Sequence, residues 1–161
     1  MNPELDLQIE RVIRAPRTDV WRAWTDPDLF AQWFLPRPGI CRVEEFEPKP
    51  AGSLVTSMGE PGGELRPHVN ACFLAVDEHE RIVFSTALDS TWRPAAADSL
   101  RMTATITFEE HAEGTLYRAV VRHADGADRA RHEELGFAQG WGSVTAQLAE
   151  LVEQTPAVVV R

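Results

Sequence analysis

A chain of 161 residues reads as one globular domain, 1–161, with room for a sizeable core and none for a second domain of ordinary size. Apolar residues at 43% and charged residues at 25% exclude disordered and collagen-like compositions. The net charge of -9 repels polyphosphates and anionic headgroups, and no basic cluster offsets it, so neither nucleic acid nor membrane insertion is expected.

From the amino terminus, Leu5, Leu7, Ile9 and Ile13 alternate with Asp6, Gln8 and Glu10, the period of a strand with one wet face. Pro16 suits the first position of a short amphipathic helix carrying Val20, Trp21 and Trp24. Asp26 before Pro27 opens a second short helix, with Phe30, Trp33 and Phe34 on its apolar side and an end near Pro36 and Pro38. From about Cys41 to His123 the period changes to that of short strands, predicted over 41–47, 53–58, 68–76, 81–87, 100–108 and 115–123 and separated by glycine- and proline-rich turns. Their one-sided alternation predicts an antiparallel sheet. Helical period returns from about Asp128 to Gln154, where Phe137, Trp141, Val144, Leu148 and Leu151 step by three and four. Read as one helix over 133–154 it is about 33 Å long, enough to span the sheet. Trp141, following Gly140 at mid-stripe, is expected to be the keystone of a close helix–sheet contact. The predicted fold is α+β in two layers: a curved antiparallel sheet of about six or seven strands wrapped around a long C-terminal helix, with two short helices after the first strand.

These segments also resemble a known family. Ile13-Arg14-Ala15-Pro16, Val20-Trp21-Arg22-Ala23-Trp24-Thr25-Asp26-Pro27 and Gln32-Trp33 are similar to the opening of bacterial proteins related to the C-terminal domain of the activator of Hsp90 ATPase. That group lies within the START-like (SRPBCC, helix-grip) superfamily. The resemblance continues through Arg81-Ile82-Val83-Phe84, Thr105-Ile106-Thr107-Phe108-Glu109, Gly114-Thr115 and Gly140-Trp141, covering about residues 5–154. It departs at Trp33-Phe34-Leu35-Pro36 and Ala51-Gly52, where the family often has Trp-Trp-Gly-Pro and Gly-Gly. The resemblance implies a helix-grip fold with an apolar cavity between sheet and helix. It implies no single activity, since lipid binders, cyclases, a self-resistance protein and chaperone-associated domains share that fold.

Chemical motifs are sparse. Cys41 and Cys72 are the only cysteines and form no metal or redox pair, so reduced thiols are expected. His123, Asp125, Asp128, His132 and Glu133 lack metal-ligand spacing and read as a polar turn before the last helix, so no metal or cofactor is predicted. No nucleophile motif or phosphate loop occurs. Met1–Asp6 has neither the basic nor the apolar part of a leader, and no stretch has the length of a membrane span; a cytoplasmic location is the expectation. What stands out is aromatic: Trp33, Phe73, Phe84, Met102, Tyr117, Phe137 and Trp141 are the expected lining of a cavity for a small apolar or amphipathic molecule bound without covalent chemistry. Tyr117 and His123 are the weak candidates for acid–base work there, His123 being read as an end-of-strand residue reaching solvent. Three readings stay open: a ligand-binding module, an interaction domain for an Hsp90-type chaperone, and an acid–base enzyme of cyclase or hydrolase type. The chaperone reading is weakened because the eukaryotic activator needs a second domain, and the enzyme reading by the missing motifs. A homodimer is left open.

Overall fold

In the computed structural model, residues 1–154 are described, and they form seven strands and four helices. Strand β1 (Asp6–Ile13) leads into α1 (Arg17–Thr25) and the single turn α2 (Pro27–Phe30). Strands β2 (Ile40–Phe46), β3 (Ser53–Gly59), β4 (Arg66–Asp77), β5 (Arg81–Ser85), β6 (Thr103–His111) and β7 (Gly114–Arg122) follow. The chain continues through α3 (Gly126–Glu134) and α4 (Phe137–Gln154). The order across the sheet is β1-β7-β6-β5-β4-β3-β2, every pair antiparallel. This is the two-layer α+β architecture that the alternating strands and the closing helical period predict, in the helix-grip form that the family resemblance implies.

Local chemistry explains most boundaries. Asp26 caps α2, its carboxylate accepting from the amides of Asp28 and Leu29, while Pro27 starts the turn without a wasted donor. Pro16 falls one place outside the expected position, as the residue that caps α1. Register shifts between Val43 and Glu45, Val55 and Ser57, and Phe73 and Ala75 put three irregularities in the β2–β5 half of the sheet, where such bulges bend and twist the strands. The concave face buries Leu54, Phe73, Phe84, Ile106, Phe108, Tyr117 and Val121, and Trp24, Phe30 and Trp33 pack into it from the α1–α2 side.

Three further expectations change. Phe30, Trp33 and Phe34 do not share one helix: α2 ends at Phe30, and Trp33 and Phe34 lie in the turns that follow. The last helix does not run unbroken from Glu133. Gly136, at φ +92, takes a left-handed conformation and its amide bonds back to the Glu133 carbonyl, so α3 stops and α4 restarts at Phe137. At 18 residues α4 is about 27 Å long. The strand expected from Leu100 begins at Thr103, because the preceding backbone pairs with hydroxyls. Thr86 Oγ1 donates to the Leu100 carbonyl at 2.9 Å and accepts from the Met102 amide at 3.1 Å, and Ser85 Oγ donates to the Met102 carbonyl at 3.1 Å.

Candidate cavity between sheet and helix

The helix–sheet seam is not filled throughout. A cavity of about 300 Å³, partly open to the surface, lies where α4, the α2–β2 connection and the sheet converge. Its walls carry Trp24, Trp33, Phe34, Met102 and Val144 as apolar groups and Tyr117, His68, His132, Thr86 and Thr145 as polar ones. Each wall is placed by a traceable contact. Trp33 Nε1 donates to the Ala23 carbonyl at 2.9 Å, which locks the turn after α2 against α1. Gln147 of α4 holds the same connection from the other side: its Nε2 donates to the carbonyls of Trp33 (3.1 Å) and Leu35 (2.8 Å), and its Oε1 accepts from the Arg37 amide (2.8 Å). One buried amide thus satisfies three backbone groups of an irregular segment. The backbone pairing with Thr86 sets the position of Met102.

Of the residues expected at the cavity, Trp33, Met102, Tyr117 and Trp141 are brought together on its wall. Phe73 and Phe84 are not. They are paired across β4 and β5 and wholly buried, Phe73 against Phe46 and Phe84 against Trp24, so they form the floor beneath the lining rather than the lining itself. Phe137 is buried as well, its ring 5.1 Å from His132 and 5.5 Å from Trp141, supporting both from behind. Trp141 is half-buried rather than a keystone, and a methyl group placed on Gly140 would meet no atom within 4 Å. Gly140 therefore borders empty space; it does not permit a close helix–sheet approach.

The polar residues differ from expectation too. Tyr117 Oη accepts from Trp24 Nε1 at 3.0 Å, which fixes the ring and leaves the hydroxyl hydrogen free to donate. Complete burial raises the phenol pKa well above the ordinary range, only partly offset by that hydrogen bond, so the group is a neutral donor and not a base. His123 does not reach solvent. It is 7% exposed and lies behind the wall, with Nε2 2.9 Å from Nδ1 of His132. His132, read from the sequence as part of a polar turn, lines the cavity together with His68, because α3 turns it inward opposite the end of β7. Burial, with His123 beside it, pushes its pKa down to about 4. His68, which faces Thr56 Oγ1 at 3.1 Å, is lowered by burial first and by Arg66 second. The sequence signal that could have pointed to His68 and His132 is weak: one lies in an alternating strand and one at an i+4 distance from Asp128 in a charged helix. Cys41 is pushed up to about 11 by burial, and Cys72 is raised by burial and then by Asp89, so neither thiol is activated. Among the described residues no group of three or more His, Cys, Asp or Glu side chains is placed to hold a metal ion, and no helix is long and apolar enough to cross a membrane.

Comparison with known proteins bears on the whole arrangement. The family model described as activator of Hsp90 ATPase homolog 1-like protein matches residues 14–153. Among solved structures, a protein from Nitrosomonas europaea is 38% identical, with a TM-score of 0.84 over 96% of this chain and 97% of that one. A protein from Mycobacterium smegmatis is 25% identical, with a TM-score of 0.77 over 96% and 94%. One from Rhodobacter sphaeroides, 17% identical with a TM-score of 0.81 over 98% of both chains, shares the fold. No curated protein matches the sequence.

Proposed function

Because this chain belongs to the family of activator of Hsp90 ATPase homolog 1-like proteins, whose fold is shared by proteins of several functions, we propose its function from its own cavity: reversible binding of a small, largely apolar molecule between α4 and the sheet. The observation that carries the reading is the space of about 300 Å³ walled by Trp24, Trp33, Phe34 and Trp141, with a few polar groups among them. Its volume falls at the low end of ligand pockets, and a largely apolar wall with several aromatic rings and a few polar groups is how such pockets combine affinity with orientation. Keeping a void of this size between packed layers forfeits dispersion contacts, a cost that a bound molecule offsets.

Native mass spectrometry of freshly purified protein, followed by melting curves against polyaromatics and medium-chain fatty acids, tests the proposal. The expected result is a co-purifying small molecule, or a melting temperature that climbs with ligand concentration. A folded protein that carries nothing and whose melting temperature no apolar compound raises would overturn it.

A further inference from the structure

The paired histidines at the α3 side of the cavity determine what kind of polar group the occupant must bring to that end. His123, just beyond β7, and His132, in the last turn of α3, are 7% and 5% exposed. His123 Nδ1 lies 2.8 Å from the Leu5 carbonyl oxygen, which can only accept, so Nδ1 carries the hydrogen. A buried charged imidazole needs a counter-charge, and among the described residues the histidine that sits beside a carboxylate is His79, not these two. Neither buried ring has such a partner, so each is assigned a single hydrogen. His123 Nε2 then holds a lone pair and accepts, over 2.9 Å, the hydrogen on His132 Nδ1. With its hydrogen committed there, His132 keeps a bare lone pair on Nε2, bonded to no donor among the described residues, on a residue that lines the cavity. A carbonyl in the β1 approach thus dictates, through two rings, that the α3 end of the cavity accepts a hydrogen bond.

Resting on the binding reading above, we propose that the occupant is a neutral aromatic or polycyclic alcohol, whose hydroxyl donates to His132 Nε2 while its rings lie among Trp24, Trp33, Phe34 and Trp141. The flat aromatic walls and the volume suit a molecule of about two fused rings. Against His132 Nε2 a carboxylate would set one acceptor against another and an ether would leave the lone pair unmet, so at that end of the cavity both are disfavoured relative to an alcohol.

The test uses the full chain and three probes of nearly equal size: 2-naphthol, 2-methoxynaphthalene and 2-naphthoate, titrated by calorimetry near neutral pH. Naphthol is expected to bind about tenfold more tightly than the methyl ether, the worth of one buried hydrogen bond, with naphthoate weakest. His132→Phe keeps a ring and removes the lone pair; it should abolish the preference for naphthol while leaving binding of the methyl ether in place. Independently of any ligand, nitrogen NMR of the folded protein should show His132 with its hydrogen on Nδ1 and a bare Nε2. Equal binding of the three probes, a preference unchanged in His132→Phe, or a hydrogen found on Nε2 would each overturn this inference while leaving the binding reading standing. If no naphthalene binds the folded protein, this inference falls, while the binding reading stands or falls with the melting curves described above.

Discussion

Gln147 is the clearest case of one side chain deciding the shape of the molecule around it. Its amide is 9% exposed and joins three backbone groups of the Trp33–Arg37 connection to α4. Gln147→Leu keeps the volume and strands those groups, so a loss of about 2 kcal/mol is expected in urea titration, accompanied by weaker binding of any apolar probe. A loss under about 0.5 kcal/mol would mean that water replaces the amide without cost. The histidines carry a second expectation. The unfolded chain protonates His132 near pH 6.5, whereas the folded chain does so only near 4. Between those values the unfolded state binds more protons, so the histidine's contribution is fully present above about 6.5 and is lost as the pH falls towards 4, by at most about 3 kcal/mol. His68, shifted in the same direction by its own burial, adds to the slope with the same sign. Stability measured between pH 6.5 and 5 should therefore decline in the natural protein and decline less in His132→Phe; equal slopes in the two would refute the assignment.

Among the elements, α4 and the β6–β7 hairpin each carry a glycine, with opposite consequences. Gly140 sits in the first turns of α4 beside open space. Glycine in a helix is worse than alanine by about 0.5–1 kcal/mol, so Gly140→Ala should stabilise the protein by about that amount while its methyl group, entering the cavity, reduces probe binding. Stabilisation with undiminished binding would place the occupant elsewhere. Gly114 opens β7 at φ +139, and a methyl group there would collide with the Ile13 carbonyl and the Ala15 backbone. Gly114→Ala should cost more than about 2 kcal/mol, because the hairpin turn and the exit of β1 cannot both keep their places. Melting temperatures of the two variants, moving in opposite directions, check both statements. The break at Gly136 belongs to this scale as well: a helix register read from apolar spacing runs straight through a glycine, and only the left-handed turn at 136 separates α3 from α4.

Across the whole molecule, one aromatic cluster joins the layers. Trp21 meets Phe108 at 5.4 Å and Phe108 meets Tyr117 at 5.8 Å; Tyr117 bonds Trp24, which packs on Trp33 at 5.1 Å and Phe84 at 6.0 Å; Phe30 continues to Phe46 and Phe46 to Phe73. This chain of contacts runs from β7 to β2, so loss of tertiary packing and loss of secondary structure should coincide in one transition, seen as superimposable near- and far-ultraviolet dichroism during unfolding. Separated midpoints would show that half of the sheet holds without the other. The amino-acid sequence alone determined the order of the strands and of the two short helices, the antiparallel alternation, the inward place of Tyr117, and the cap at Asp26, since each follows from local periodicity or from a side chain bonding its own neighbourhood. It also marked Trp33, Met102, Tyr117 and Trp141 for the same interior. Only the tertiary structure decided that Phe73, Phe84 and Phe137 lie under the cavity wall, that Gly140 faces a void, and that His123 stands behind His132. Periodicity tells which face of an element is buried, but not whether a neighbouring element fills the space against it. That depends on the bend of the sheet and on where α4 restarts. The direction of the hydrogen bonds at the two histidines rests on Leu5, 118 residues away from His123 in the chain, and no local pattern encodes a contact of that range.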